Sequence, residues 1–210
     1  MPHLVLLGDS IFDNKAYVGS GPDVAAQVRD DLPKDWQVTL CAVDGATVGS
    51  VGSQLARVPA DATHLVLSVG GNDALGYSAV LSQPARSVAE VLEMLGELSR
   101  AFERDYRLML DLVLARRLPT AICTIYNPNY PDPALQRLSV SALAHMNDPI
   151  VRIAIEAALP LIDLRLVCTE PADYANPIEP SSRGGEKIAA AISAVVLSGD
   201  VRREQPFVLR

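Results

Sequence analysis

Five short apolar runs recur along the chain, and each is followed by turn residues and then by a stretch with helical periodicity. Strands that alternate with helices in this way form βαβ units, whose right-handed crossovers build a parallel sheet covered by helices on both faces. The pattern therefore predicts an α/β fold with a five-stranded parallel sheet in the order 2-1-3-4-5. The predicted strands are residues 4–7, 38–42, 65–69, 121–125 and 161–162.

The helical stretches differ in how clearly their ends are marked. Between the third and fourth strands, two apolar stripes flank Gly96, and this glycine predicts a break or a bend between them. The last helix is expected to begin after Pro180 with Ser181 or Ser182 as its N-cap, because hydroxyl side chains accept hydrogen bonds from the first free N–H groups of a helix.

Length and composition favour one domain at residues 1–197, followed by a tail at residues 198–210. Hydrophobic residues make up 49% of the chain, enough for a substantial core, and the net charge of -7 without a basic cluster argues against a nucleic-acid partner. Three widely spaced cysteines fit reduced thiols. No apolar run is long enough to span a membrane and no signal peptide precedes the first strand, so we expect a cytoplasmic protein.

Four polar segments follow predicted strands and are expected at one rim of the sheet. Open α/β sheets bind ligands outside the carboxyl ends of their strands, so Ser10, which ends the turn after the first strand, is a candidate nucleophile. A proline-rich loop at residues 126–133 follows the fourth strand and could wall a pocket at the same rim. The four segments are Gly8-Asp9-Ser10-Ile11, Asp44-Gly-Ala-Thr-Val-Gly49, Gly70-Gly-Asn-Asp73 and Asn176-Pro-Ile-Glu-Pro-Ser181.

In this order, the four segments resemble the GDSL or SGNH hydrolases, a family of esterases and lipases, over residues 4–196. The resemblance implies a three-layer, flavodoxin-like α/β/α sandwich that hydrolyses a small-molecule carboxylic ester without a cofactor or a metal. It also implies that Ser10 is the nucleophile and that Gly45 and Asn72 join it in the oxyanion hole. Negative charge builds on the carbonyl oxygen during acyl transfer, and the N–H groups of these three residues would stabilise it.

The fourth segment departs from the family pattern, in which an aspartate and a histidine stand three residues apart. Asn176 and Glu179 occupy those positions here. None of the three histidines is expected to replace the missing base, because His3 and His64 open strands at the opposite rim and His145 lies in a helical stretch. Glu179 is therefore the candidate base.

Glu179 would be an unusual base, because the pKa of a free glutamate, about 4.3, lies well below the value of about 6.5 for histidine. Burial would raise this pKa, whereas the nearby helix N-terminus would lower it. The sequence does not show which of these two opposing effects is larger. If Glu179 is the base, we expect activity to persist below the pH at which a histidine enzyme fails, around pH 5 to 6. A neutral Asn176 avoids charge repulsion and is expected to orient Glu179 through an amide hydrogen bond.

Two alternatives accompany the hydrolase hypothesis. In the first, the site has lost its base, and the protein binds a ligand in the pocket without turning it over. In the second, a metal-assisted phosphoesterase uses carboxylates from several loops as oxygen ligands, although no ligand-spacing motif is present. The candidate metal ligands are Asp9, Asp13, Asp44 and Glu179.

Overall fold

The computed structural model describes residues 1–198 and 208–209. The strands are β1 (His3–Gly8), β2 (Gln37–Leu40), β3 (His64–Ser68), β4 (Thr120–Cys123), β5 (Leu161–Ile162), β6 (Tyr174–Asn176), β7 (Glu179–Pro180) and β8 (Val208–Leu209). The α-helices are α1 (Val24–Asp31), α2 (Val51–Leu55), α3 (Gly71–Gly76), α4 (Val88–Leu114), α5 (Pro133–Glu156), α6 (Leu164–Val167) and α7 (Ser182–Leu197). Short 3-10 helices span Val48–Ser50, Ser78–Ser82 and Pro171–Asp173.

The central sheet has five parallel strands in the order β2-β1-β3-β4-β5, which confirms the predicted topology. A sixth strand, β8, pairs in parallel with β5 at the edge and was not predicted. The rest of the predicted tail, from residue 199 to residue 207 and at residue 210, lies outside the described residues. A separate antiparallel pair, β6 and β7, carries Asn176 and Glu179.

Helices cover both faces of the sheet because its strands are apolar on both sides. In β1, Val5 and Leu7 are buried in the cluster that includes side chains of α4 and α5, and Leu4 and Leu6 in the cluster that includes side chains of α1 and α7. Alternate residues of a strand point to opposite faces, so a strand buried on both sides is a continuous apolar run. The three-layer α/β/α arrangement is thereby confirmed.

The last helix, α7, begins where the sequence predicts. Ser181 is its N-cap, and the hydroxyl oxygen accepts a hydrogen bond from the N–H of Gly184 at 3.2 Å. The start of α7 is therefore fixed two residues after Glu179, at the same rim as Ser10.

α4 is one helix of 27 residues, so the break or bend predicted at Gly96 does not divide it. A glycine inside a helix costs only about 1 kcal/mol relative to alanine, which packing elsewhere along the helix overcomes. Phe102 lies level with the turn after β3, because a Cβ on Gly70 would be 3.0 Å from its ring. Residues 88–101 therefore project beyond the strand ends, where Val88 is 76% exposed. Despite this length, no helix in the described part of the chain is long and apolar enough to cross a membrane.

Candidate active site

A close approach of β1 to β3 brings Ser10 to the carboxyl rim of the sheet. Gly8 has a φ of +128°, and a Cβ there would lie 1.7 Å from the carbonyl oxygen of Ser68, so a side chain has no room. The N–H of Asp9 donates to the same carbonyl at 3.0 Å. The buried amide of Gln54 bonds the N–H and the carbonyl of Gly8 at 2.8 Å and 2.7 Å. Gln54 thus supports the turn that carries Ser10, although no sequence motif marked it.

Ser10 and Glu179 meet directly at this rim. The Ser10 hydroxyl donates a hydrogen bond to Oε1 of Glu179 over 3.1 Å, and the two residues are only 7% and 6% exposed. The other carboxylate oxygen, Oε2, is buried and has no hydrogen-bond partner among the described residues. An unpaired buried polar atom costs about 1–3 kcal/mol, and this cost adds to the penalty of ionising the carboxyl group.

The backbone on both sides of Glu179 is held by donors from other loops. Three carbonyl oxygens next to it each accept a hydrogen bond from a residue outside β6 and β7, so the position of the carboxylate is set without a ligand. The three bonds run from the Tyr126 hydroxyl to the Ile178 carbonyl, from the Asn129 N–H to the Pro177 carbonyl (2.8 Å) and from the Asn14 amide to the Pro180 carbonyl (3.3 Å).

Burial raises the pKa of Glu179 from 4.5 to about 7, while the hydrogen bond from Ser10 lowers it and the charge of Asp44 raises it. Burial therefore prevails over the influences that favour the ionised carboxylate. A general base works best when its pKa lies near the working pH, and the pKa of this carboxylate approaches that of histidine. The expectation that activity persists below pH 5 to 6 is corrected accordingly, because a carboxyl group with this pKa is mostly protonated there.

Asp9 places a second buried carboxyl group next to Ser10 in the chain. It is 2% exposed, and burial raises its pKa to about 7; the N–H of Ile11 lowers this pKa and the charge of Glu179 raises it. The Ile11 N–H donates to Oδ1 of Asp9 at 3.2 Å. Asp9 therefore shapes the turn, and its burial favours the protonated form.

The structure corrects the prediction that Asn176 orients Glu179. Asn176 is exposed, and its Oδ1 accepts a hydrogen bond from the N–H of Ile178 at 2.9 Å. An asparagine that bonds the backbone two residues ahead forms an Asx turn. Asn176 thus shapes the turn between β6 and β7, and the Glu179 carboxylate is bonded by Ser10 instead.

The predicted oxyanion donors come from loops that the structure ties together. Asn72 lines the same cavity as Ser10, and its Nδ2 donates to the carbonyl of Ala46 at 2.9 Å, which leaves its second amide hydrogen unused. This bond joins the loop of Gly45 to α3. Gly45 is exposed, and its φ of +77° favours glycine. Among the described residues, no acceptor bonds the backbone N–H of Ser10 or of Gly45.

A cavity of about 140 Å³ opens from Ser10 and Glu179 and is walled by α4 and α5. The projecting half of α4 forms one wall, and the loop at residues 126–133 forms another, as its position after the fourth strand predicts. The walls are mainly apolar. They include Leu95, Leu98, Tyr126, Pro128, Tyr130, Ala142, Leu143 and Met146.

A family model described as the GDSL-like Lipase/Acylhydrolase family matches residues 6–186, which is most of the chain. The chain belongs to the GDSL-like lipase/acylhydrolase family. The matched range includes Ser10, Gly45, Asn72 and Glu179. No curated protein sequence matches the chain significantly.

Solved structures share the fold of this family member at low sequence identity. Lipase Lip_vut3 from a goat rumen metagenome is 18% identical, with a TM-score of 0.71 over 92% of this chain and 97% of that chain. A lipolytic G-D-S-L family protein from Veillonella parvula DSM 2008 is 16% identical, with a TM-score of 0.69 over 94% and 99%. Est24, a carbohydrate acetylesterase from Sinorhizobium meliloti, is 10% identical, with a TM-score of 0.65 over 94% and 99%. At these identities the likeness shows the fold alone.

The histidines of this family member are divided between the two rims. His3 and His64 begin β1 and β3, at the rim opposite Ser10, as predicted. His145 lies on α5 and lines the cavity, which its helical context did not reveal. The partner of the Ser10 hydroxyl is nevertheless Glu179.

The other carboxylates of the metal-assisted alternative bond neighbouring loops. Oδ2 of Asp13 accepts a hydrogen bond from the N–H of Asp44 at 3.0 Å, and Oδ2 of Asp44 accepts one from the Tyr17 hydroxyl at 2.7 Å. Within residues 1–198 and 208–209, no group of three or more His, Cys, Asp or Glu side chains is arranged to hold a metal ion. The carboxylates of Asp13 and Asp44 therefore join the loop after Ser10 to the loop after β2.

Proposed function

We propose that this GDSL-family hydrolase cleaves a small-molecule carboxylic ester through an acyl-enzyme on Ser10, with Glu179 as its general base. The observation that carries the proposal is the 3.1 Å hydrogen bond from the Ser10 hydroxyl to a buried carboxylate oxygen of Glu179. A general base must lie within hydrogen-bond reach of the proton that it takes, and Glu179 meets this requirement without a ligand present.

In the first half of the reaction, the Ser10 oxygen attacks the ester carbonyl carbon while its proton passes to Glu179. The tetrahedral intermediate then collapses, the bond to the alcohol oxygen breaks, and Glu179 returns the proton to that oxygen as the alcohol leaves. In the second half, Glu179 takes a proton from water as the water oxygen attacks the acyl carbon. The Ser10 ester bond breaks, the proton returns to the Ser10 oxygen, and a carboxylic acid is released.

In both halves of the reaction, N–H groups around Ser10 would stabilise the negative charge on the carbonyl oxygen. The Asn72 amide has an unused hydrogen at the cavity, and the backbone N–H groups of Ser10 and Gly45 are without acceptors among the described residues. Donors fixed in place before the reaction stabilise a developing oxyanion without reorganising. We assign this role to all three.

The buried environment makes a glutamate suitable as the base. A carboxylate with an ordinary pKa of about 4.3 would be a weak acceptor for a serine proton. Burial raises the pKa of Glu179 to about 7, which makes the ionised form more basic while it is still populated at neutral pH. The same pKa allows the protonated form to donate to the leaving alcohol.

Hydrolysis of short-chain p-nitrophenyl esters in the presence of a chelator tests the proposal. We expect release of p-nitrophenol, with the acyl group found on Ser10 by mass spectrometry after rapid quenching. Ser10→Ala should abolish both signals. Turnover that survives Ser10→Ala would overturn the proposal, and ligand binding without any acylation of Ser10 would favour the non-catalytic binder.

A further inference from the structure

Glu179 stands between two different spaces. One is the apolar cavity of about 140 Å³ between α4 and α5. The other is a more open recess that shares Tyr130 and Ile178 with the cavity and adds Tyr17 and Asn176. Ser10 lines the first space and not the second. The two halves of an ester bound at Ser10 therefore have a more enclosed space and a more open space to occupy.

The order of the chemical steps indicates which half of the ester occupies the cavity and which half occupies the recess. After the alcohol leaves, the acyl group stays on Ser10, and a water molecule must reach the acyl carbon beside Glu179. If the acyl group filled the recess, the water would have to pass through an apolar cavity, where it finds few hydrogen-bond partners. An acyl group in the cavity instead leaves the recess free both for the departing alcohol and for the entering water.

We infer that the cavity between α4 and α5 is the acyl site, that it takes an apolar acyl group of about six carbons or one aromatic ring, and that the alcohol leaves through the recess at Tyr17 and Asn176. The size follows from the volume, because an apolar cavity of about 150 Å³ holds a benzene molecule. This inference rests on the proposed function and adds the substrate class to it.

Apolar contact in the cavity should make kcat/KM depend on the length of the acyl group. Burial of one methylene is worth a factor of about four in an equilibrium or rate constant. The kcat/KM for p-nitrophenyl esters should rise about fourfold with each added methylene until the cavity is full, near hexanoate and benzoate. It should then fall for dodecanoate, whose chain exceeds the cavity.

A matched pair of substitutions on α5 tests where the acyl group lies. Ala142 lines the cavity, whereas Ala144 on the same helix is exposed and does not. Ala142→Phe should reduce kcat/KM for hexanoate and benzoate at least tenfold and leave acetate within about twofold of the unsubstituted protein. Ala144→Phe should leave the whole series unchanged. Ser139→Phe, at a second cavity-lining position, should repeat the effect of Ala142→Phe.

The outcomes separate this inference from the proposed function. A shift of the optimum from hexanoate to acetate or butyrate in the two cavity variants supports the acyl site. Ser10-dependent hydrolysis with no dependence on acyl length, or with equal effects of Ala142→Phe and Ala144→Phe, would overturn it and leave the proposed function intact. Failure of Ser10 to be acylated by any ester in the series would overturn both.

Discussion

The Ser10 hydroxyl and the Glu179 carboxylate share a 3.1 Å hydrogen bond although 169 residues separate them in the chain. Ser10 lies just after β1, and Glu179 lies in the β6–β7 hairpin. Both residues are almost fully buried. A serine and a base within hydrogen-bond distance are the minimum that acyl transfer needs. In the proposed mechanism the Glu179 carboxylate is this base.

Replacement of Glu179 by glutamine should reduce kcat by a factor of about 10² to 10⁴, the usual contribution of a general base. Glutamine keeps the shape of the side chain and can still accept the Ser10 hydrogen bond, but it does not take the proton. Steady-state kinetics with p-nitrophenyl butyrate would measure the loss. His145→Gln is the matched control, because His145 is the one histidine that lines the cavity among the described residues. A larger loss in His145→Gln than in Glu179→Gln would reverse the assignment of the base.

The pH profile should show an acid limb near pH 7. Glu179 acts as a base only when ionised, and burial raises its pKa to about 7, so kcat/KM should fall tenfold per pH unit below that value. A profile measured from pH 5 to 9 in the unsubstituted protein would show this limb. It should persist in His145→Gln, because the limb is assigned to Glu179. A rate that stays constant down to pH 5 would contradict a buried carboxylate base.

Asn72→Ala should reduce kcat by a factor of about 10² to 10³ with little change in KM, the expected effect of the loss of one oxyanion donor. The substitution also removes the hydrogen bond to the Ala46 carbonyl. Urea unfolding of the variant would show whether that bond contributes to stability separately. A loss of kcat below threefold in a stably folded variant would argue against an oxyanion role for Asn72.

The fold and the position of Ser10 at the carboxyl rim could be predicted from sequence because their signals are local. Five apolar runs and the residues that follow them determine the strand order, and the close approach at Gly8 explains why the turn before Ser10 has a glycine. The continuous helix α4 could not be predicted in the same way. Gly96 lowers helix propensity by a small local amount, whereas the packing that keeps the helix whole involves residues far along the chain.

The details of the base depend on contacts that no sequence pattern shows. The high pKa of Glu179 arises from burial, and the loop of Tyr126 that helps to hold its hairpin lies about fifty residues earlier in the chain. Asn176 was expected to bond Glu179 because of its spacing, but an asparagine readily bonds nearby backbone, and here it bonds Ile178. The cavity position of His145 likewise depends on how α5 packs against α4.

Asn176→Ser should leave kcat and KM within about twofold of the unsubstituted protein. Serine keeps a side-chain oxygen that can accept from the Ile178 N–H, although more weakly than asparagine, and it removes the amide. If the amide oriented Glu179, the variant would lose activity and its acid limb would move. Kinetics at pH 6 and pH 8 would detect either change, and a tenfold loss at both pH values would restore the orienting role of Asn176.

Asp9→Asn should stabilise the protein above pH 7 and have little effect near pH 4. Burial raises the pKa of Asp9 from 3.8 to about 7, so between these values the folded protein holds a proton that the unfolded chain has lost. The free energy of unfolding therefore falls as pH rises through this window, by up to about 4 kcal/mol for a shift of about three units. Asparagine carries no charge at any of these pH values and can still accept the hydrogen bond from Ile11.

Urea unfolding at pH 4.5 and pH 8 would measure this difference for Asp9→Asn against the unsubstituted protein. Asp31→Asn, at an exposed position of α1, is the control and should follow the unsubstituted protein at both pH values. The gain from Asp9→Asn should grow by several kcal/mol between pH 4.5 and pH 8, because only the ionised carboxylate is penalised by burial. An equal effect of Asp9→Asn at both pH values would mean that the folded protein holds Asp9 ionised from pH 4.5 to pH 8. Burial would then not raise the pKa of Asp9, and the prediction would be wrong.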